Sequence, residues 1–438
     1  GAGIVGLSLA IALNAFDKDK KMVIDLYEAA PELSEVGAGI NVWPRTWEMM
    51  KSIGLEEALV PLFDHYPDLE PRVVFEIRKA DQKDGYKVVD VMKEGGVLRI
   101  HRADLQRTLL NNLPLPDPSR TTNSQCALHL SHRVLDYTTS DSGEIILKFA
   151  DRPSTTCDIL VGADGIKSTI RQLFLSRLPN PEEYKKYLHP LWSGTVVYRG
   201  LVAKGELAKV FPGHRALDHP GIMYVGKLKH AVVYPIADKL INVVVAVHDK
   251  TKDGTMWEGP WNSEVTQRDF YDQFGGWEEE FQALIQCIKR PTKWALQNIK
   301  NLDIYGKGRV LIMGDAAHAM VPHQGAGAGI GIEDAYILAA MLTHSSTTRD
   351  SLSSGHADKI MKIYNDIRVP RGISMSRASA RQGYLYALAT PGLKEYKEGD
   401  DVPMDKLLEV FREADENWSW TTSDPDDDLR KAVAALVQ

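Results

Sequence analysis

The chain opens on an almost uninterrupted apolar run, Ile4 to Leu13, followed by a second from Met22 to Tyr27. The first is rich in Ala, Leu and Ile and predicts a buried helix over Leu7 to Ala15. The second is short and β-branched and predicts a strand covered on both faces. A helical pattern follows from about Arg45 to Ser52, and another opens at His101–Arg102–Ala103–Asp104–Leu105. Cys157 to Val161 predicts a short strand. Between about Leu188 and Ala246 the period changes to two. Thr195 to Val202, Ile222 to Val225, Ala231 to Ile236 and Ile241 to Val247 are separated by Gly, Pro, Asp and Lys, which predicts an antiparallel sheet. Arg72 to Phe75 and Tyr86 to Val91 are candidates for added strands. Val265 to Ile288 is helical and amphipathic, with Phe270, Phe274, Phe281 and Leu284 on its apolar side. Val310 to Met313 predicts a buried strand ending near Asp315. A loop dense in glycine (Gly325, Gly327, Gly329, Gly331) and an Ala/Leu-rich helix come next. Ile360 to Leu388 is a long helical pattern, which Pro370–Arg371–Gly372 is expected to interrupt. Its arginines, Arg368, Arg371, Arg377 and Arg381, form either a solvated face or one packed on the rest of the protein. Met404 to Glu413 and Asp428 to Leu436 predict short helices, with Trp418 and Trp420 anchoring this tail.

Composition narrows the class. The 438 residues are too many for one ordinary core, so two or three domains are expected. Hydrophobic residues make up 44% and charged residues 25%, as in soluble globular proteins. A net charge of -7 without a long basic run argues against nucleic acid as a partner. Cys126, Cys157 and Cys287 are scattered, so neither a disulfide framework nor a zinc site is expected, and a reducing, cytoplasmic compartment fits. No apolar run has membrane-spanning length, and the N-terminal stretch lacks the basic flank of a signal peptide. No internal repeat is present.

The first glycines carry the first chemistry. GAGIVG places Gly1, Gly3 and Gly6 in G-x-G-x-x-G spacing ahead of the predicted helix, and Glu28 lies 22 positions after Gly6 (28 minus 6). Glycines at this spacing let a pyrophosphate approach a helix N-terminus, where free amides and the macrodipole favour anions. A carboxylate at this distance holds a ribose hydroxyl. Together they point to a dinucleotide with a free 2′-hydroxyl, NAD or FAD. The motif ordinarily follows a strand, so residues ahead of Gly1 are expected in the natural chain.

Other positions suit the same kind of ligand. The turn at Ala38–Gly39 either brings backbone beside a cofactor or simply leads into a helix. Arg102 offers a guanidinium fork for a phosphate. Gly162–Ala163–Asp164–Gly165 sets an acid between glycines at a strand end, a ligand-facing position in open α/β sheets. After Asp315, glycines again allow backbone amides to approach a ligand. In the predicted sheet, Arg199 shares a face with Val197 and Leu201, which is costly unless the charge is paired or ligand-facing. Tyr234 shares a face with Val232. An Arg at a sheet edge and a Tyr in the core are the alternatives. Tyr198 and Tyr224 are weaker candidates. His318 and His323 have no companion ligands nearby, so no metal is expected.

GAGIVG with Glu28, HRADL, GADGIKSTIR and GDAAHAMVPHQGAGAG, in this order, resemble the FAD-dependent aromatic hydroxylases (group A flavoprotein monooxygenases). The salicylate-hydroxylase-like branch is the most similar, and the tail WSWTTSDPDDD also looks like it. The resemblance runs from Gly1 to about Arg381. It implies an α/β protein of para-hydroxybenzoate-hydroxylase-like architecture. A Rossmann-like FAD-binding domain would span 1–71, 96–187 and 292–388, an inserted antiparallel β-sheet substrate domain 72–95 and 188–291, and a C-terminal helical tail 389–438. It implies FAD, with NADH or NADPH as a transient electron donor. Gly1, Gly3, Gly6 and Glu28 would hold the ADP half, and Arg102 the phosphate or ribityl region. Asp164 would serve FAD and the nicotinamide donor, and Asp315 a ribityl hydroxyl. Gly325, Gly327 and Ala328, with Gly39 opposite, would lie along the isoalloxazine. Arg199, Tyr224, Tyr234 and Pro322 would line the substrate site. Arg199, Tyr234 and His323 are the catalytic candidates, His323 as acceptor of a phenolic proton or else as a structural histidine.

The expected reaction is hydroxylation of a phenolic or hydroxybenzoate-type aromatic by NAD(P)H and dioxygen through a flavin hydroperoxide, with loss of carbon dioxide when the attacked carbon bears a carboxylate. Expected partners are a small aromatic and dioxygen, with no nucleic acid and no membrane, in a monomer or homodimer. The alternatives are a flavin- or NAD-dependent dehydrogenase or reductase without oxygen insertion, and a flavin-binding interaction protein.

Overall fold

A computed structural model describes residues 1–33, 39–115, 125–236 and 239–438. Its largest sheet has eight strands, in the spatial order Asn262–Glu264, Thr292–Asn298, Leu191–Ala203, Leu240–Thr255, Lys229–Ile236, Ile222–Gly226, Arg72–Lys79 and Tyr86–Lys93. All neighbours are antiparallel except Ile222–Gly226 with Arg72–Lys79. The period-two pattern becomes two faces, because successive side chains leave a strand on opposite sides. One face carries Tyr198, Tyr224, Val233, Val243 and Val245 into a core with Phe270, Phe274, Phe281 and Leu284. The other carries Arg199, opposite Val244, which is opposite Val232; beside this row, Leu201 is opposite Asn242, itself opposite Tyr234.

The amphipathic stretch behind the sheet is not one helix. It divides into Gln267–Tyr271, a 3₁₀ turn Asp272–Phe274 and Glu279–Gln286. Gly275–Gly276 breaks it, with Gly276 at φ +85°, a conformation that favours glycine. The predicted apolar side is nevertheless buried.

The rest of the chain builds an α/β layer. Helix Ile4–Phe16 packs against helix Gly327–Leu342. Ile24–Tyr27 runs parallel to Cys126–His129, and Leu160–Gly162 runs parallel to Val310–Ile312. The second glycine cluster does not stay in a loop. Gly327, Gly329 and Gly331 lie inside the helix. A Cβ at Gly329 would collide with Thr46, and one at Gly331 with Val5 of the first helix. These two glycines serve close helix packing. Only Gly325, at φ +59°, supplies a left-handed turn.

Pro370 does not interrupt the long helix either, which runs from Ala357 to Tyr386. Pro370 and Asp366, whose carbonyl loses its helical donor, are both exposed, a position in which water can replace that donor. Arg368, on the same helix, is 0% exposed between Glu333 and Asp334. Arg377 is solvated, and Arg381, half-buried, pairs with Glu413. The tail forms helices Met404–Glu416 and Asp426–Val437. Trp418 and Trp420 are buried against Trp43. Among the described residues no helix is long and apolar enough to cross a membrane.

Candidate active site

Five segments meet between the α/β layer and the exposed face of the large sheet. At the first, Gly3 precedes helix Ile4–Phe16 with no side-chain cap, leaving N-terminal amides free, and a Cβ at Gly3 would meet nothing within 4 Å. Gly6 has no such room, since its Cβ would collide with the Gly1 carbonyl. Glu28 accepts the backbone N–H groups of Ala2 and Ala30, each at 3.0 Å. Burial pushes its carboxyl up, but these backbone donors prevail and hold it ionised below its usual range. An open glycine cradle at an uncapped helix start beside an ionised carboxylate fits the pyrophosphate and ribose of a dinucleotide. The turn at Ala38 lies outside the described residues.

Asp164 is half-buried, and its two oxygens accept Ser168 Oγ at 2.5 Å and the Ile170 N–H at 3.0 Å, starting helix Thr169–Ser176. These bonds build the local turn, and each oxygen keeps a further lone pair, as in Glu28. The backbone at Gly165 is open, with nothing within 4 Å of a Cβ. Arg171, fully buried, ties this motif to the last one by donating to the carbonyls of Ile166 at 2.7 Å and Ala316 at 3.1 Å. Burial lowers its pKa to about 10, and it remains a cation.

Asp315 follows strand Val310–Ile312 and is solvent-exposed although deep within the protein. Its surroundings push its carboxyl up, against the pull of His318, Arg102 and Arg171. Arg102 is exposed at the start of helix Arg102–Asn111, and its charge acts on both Asp315 and Arg199. Gly327 begins its helix without a side-chain cap, and a Cβ there would meet nothing within 4 Å. Gly325 packs on Asn41, whose Nδ2 would lie 2.7 Å from an added Cβ, and a Cβ added at Gly39 would lie 3.3 Å from the Tyr234 hydroxyl. Ala328 is half-buried and Pro322 exposed. A polar group and free helix amides thus line the same opening, as a flavin ring system and its ribityl chain require.

Across from them, Arg199, Val232, Tyr234 and Val244 are half-buried on the sheet. The Arg199 guanidinium lies 5.8 Å from the Trp294 ring and, among the described residues, has no acid partner. Burial lowers its pKa, and Arg102 adds to that effect. Tyr234 lies 5.5 Å from the guanidinium of Arg99; burial raises its pKa, while Arg199 and Arg99 oppose the rise. Tyr224 does not belong here. Strand alternation sends it to the opposite face, where it is 0% exposed and 5.1 Å from Phe281. Tyr198 also points there.

His323 is half-buried, and burial lowers its pKa to about 4. It lies against two histidines absent from the sequence expectations, His230 at 5.2 Å and His248 at 5.4 Å between ring centres. His248 joins His230 at 3.2 Å and Thr195 at 3.1 Å. Both are buried; alternation sets His230 on the face of Val232 and Tyr234, and strand register brings His248 to the Arg199 face opposite Thr195. Arg99, two residues before the HRADL motif, was also missed, because its only sequence signal is membership of an amphipathic strand. His318 binds Asp334 at 2.6 Å and is not a metal ligand candidate.

An α/β layer with an open glycine cradle, facing an antiparallel sheet that presents arginine and tyrosine, defines a flavoprotein acting on a small aromatic. An FAD binding domain family matches residues 217–375. Salicylate hydroxylase of Pseudomonas putida is 34% identical over 444 residues, covering 100% of this chain and 94% of that protein. The 6-methylsalicylate 1-monooxygenase of Aspergillus terreus is 32% identical, covering 85% of this chain and 78% of that protein. A solved salicylate hydroxylase substrate complex superposes with a TM-score of 0.81 at 31% identity, covering 99% of this chain and 96% of that one. The chain belongs to the FAD-dependent aromatic hydroxylases, in the salicylate-hydroxylase-like branch. It uses FAD as cofactor and NAD(P)H as electron donor.

Proposed function

We propose that this enzyme hydroxylates a hydroxybenzoate-type aromatic held between the Arg199–Tyr234 face of the sheet and the loop Pro322–Gly327. The observation that carries this reading is Arg199: a half-buried cation without an acid partner among the described residues, near enough to Tyr234 and Arg102 for their charges to act on it. Such a cation is stabilised by a carboxylate or phenolate. The relatives named for salicylate and 6-methylsalicylate support a phenol that also bears a carboxylate.

The residues divide the work. Gly1, Gly3, Gly6 and Glu28 would hold the ADP half of FAD, Arg102 its phosphate or ribityl region, and Asp315 a ribityl hydroxyl. Gly39, Gly325, Gly327 and Ala328 would border the ring. Bound FAD, reduced by NAD(P)H, supplies the activation of dioxygen. Arg199 orients the substrate and favours its phenolate, which is the better electron donor to an electrophilic oxygen. His323, which burial holds neutral with a pKa of about 4, would accept a hydrogen bond from the phenolic hydroxyl and orient it. Tyr234 and Pro322 position the ring and exclude water. When the attacked carbon bears the carboxylate, carbon dioxide leaves and a diol results.

The test is a panel of hydroxybenzoates assayed for stimulated NAD(P)H oxidation, with aromatic product and hydrogen peroxide quantified, in wild type and Arg199→Ala. The variant should keep its flavin but bind substrate more weakly, or consume NAD(P)H without hydroxylating. Unchanged binding and coupling would remove Arg199 from the site.

A further inference from the structure

The strands Gly39–Val42 and Leu98–His101 form an antiparallel ribbon in which Gly39 is opposite His101 and Asn41 opposite Arg99. These four share one face. That face is the one turned to the cleft: Gly39 abuts the Tyr234 hydroxyl, and Asn41 abuts Gly325 of the loop. Arg99 is held beside the Tyr234 ring at 5.5 Å and the Phe75 ring at 5.9 Å, with its side chain 11% exposed.

The partners of Arg99 are few for so buried a cation. One Nη2 hydrogen bond goes to the Val74 carbonyl at 3.2 Å. Asp64, which is 45% exposed, stands 3.7 Å from Nη1, beyond hydrogen-bond distance. A guanidinium carries five N–H donors, and those of Arg99 not taken by Val74 are open to a ligand entering the cleft. Tyr234 is thus bracketed by two guanidiniums: Arg199, without an acid partner among the described residues, and Arg99, whose acid partner Asp64 is a loose ion pair at 3.7 Å. One carboxylate satisfies one guanidinium fork; a second cation calls for a second anionic oxygen.

We infer that Arg99 is a second anion anchor of the substrate site, so that the substrate carries both a carboxylate and a phenolic oxygen. This rests on the function proposed above. Arg199 feels the charge of Arg102, whereas Arg99 stands beside Asp64 at 3.7 Å. Arg199 then takes the phenolic oxygen and Arg99 the neighbouring carboxylate. Arg99 is the residue that distinguishes a hydroxybenzoate from a simple phenol.

The experiment titrates FAD-loaded protein with 2-hydroxybenzoate and with phenol, reading Kd from flavin absorbance. Arg99→Met should weaken 2-hydroxybenzoate at least about tenfold and phenol less than about twofold, and Arg99→Lys should fall between because it keeps charge but not the fork. Equal weakening of both ligands, or of neither, overturns the assignment. If Arg99→Met does not retain flavin, Asp64→Asn decides. Removing the competing acid should tighten 2-hydroxybenzoate but not phenol, and any other outcome overturns the assignment. Wild type that binds no hydroxybenzoate overturns the proposed function as well. Wild type that hydroxylates one while Arg99→Met binds it equally overturns only the role of Arg99.

Discussion

The carboxylate of Asp334 accepts the backbone N–H of Gly314 at 2.8 Å, one residue ahead of Asp315. The same carboxylate accepts His318 at 2.6 Å and Arg368 Nε at 2.7 Å. Burial pushes this carboxyl up, but His318, Arg368 and the Gly314 N–H outweigh burial and keep it ionised. Helix Gly327–Leu342 thereby fixes the turn that presents Asp315. Asp334→Asn should lower stability by about 3–5 kcal/mol, the cost of removing one member of a buried ion cluster. It should also reduce flavin content, because the Asp315 turn loses its fixed geometry. Denaturant unfolding and the flavin-to-protein absorbance ratio check both effects, and full occupancy would show that Asp334 does not position the turn.

Glu333 extends this cluster to Arg45, Arg368 and Arg371. Burial raises its carboxyl, yet these three cations hold it far below its ordinary value of 4.5. A carboxylate depressed in the folded state contributes stability that is present above the unfolded value and is lost as pH falls through the folded one. Calorimetric melting should therefore hold down to the ordinary carboxylate range and decline only in stronger acid. Glu333→Gln should melt lower throughout and show a shallower acid decline; an unchanged profile would count against the cluster as a stabilising unit.

His323 has the opposite charge logic. Burial holds its folded pKa at about 4, against an ordinary 6.5. The folded state rejects the proton, so stability is complete above 6.5 and falls as pH drops toward 4. His323→Gln should abolish that part of the pH dependence. Gly383→Ala should disturb the same ring, since its Cβ would lie 2.6 Å from His323 Nε2. Product formed per NAD(P)H consumed should fall in both variants, while a variant with wild-type coupling would assign His323 a packing role only.

Tyr224 and Tyr234 give a matched pair. The Tyr224 hydroxyl is buried without a hydrogen-bond partner in the sheet's other core. Tyr224→Phe should leave KM unchanged and be neutral to stabilising, by up to about 1 kcal/mol. Tyr234→Phe should raise KM or uncouple turnover without loss of flavin. Reversal of the two outcomes in steady-state kinetics would invert the assignment of the sheet's faces.

What could be read in advance follows from physical range. The strand alternation that set Arg199 beside Val197 and Leu201, and Tyr234 beside Val232, is local and survives in the sheet, whose register then brings the two onto one face. The glycine spacing before helix Ile4–Phe16 is likewise a local requirement. Tyr224 was misplaced because alternation fixes which residues share a face within a strand but not which face turns inward. Pro370 and the glycines from Gly327 onward were read as breakers because their local preference is clear. Packing overrode it: an exposed proline costs a helix little when water can take the freed carbonyl, and glycines allow two helices to touch.

By itself the sequence determined the kinds of chemistry this enzyme owns: a phosphate-cradling helix start, a carboxylate at a strand end, and a cation set in an apolar strand. Those depend on residue type and on spacings of a few positions. Only the tertiary structure decided which of them meet. Arg99 reaches Tyr234 across 135 positions (234 minus 99) and His248 reaches Thr195 across 53, through strand register between segments far apart in the chain. It also tied Asp164 to its own turn through Ser168 and the Ile170 N–H. Convergence of this kind is set by how sheets and helices pack, which no short stretch of residues encodes.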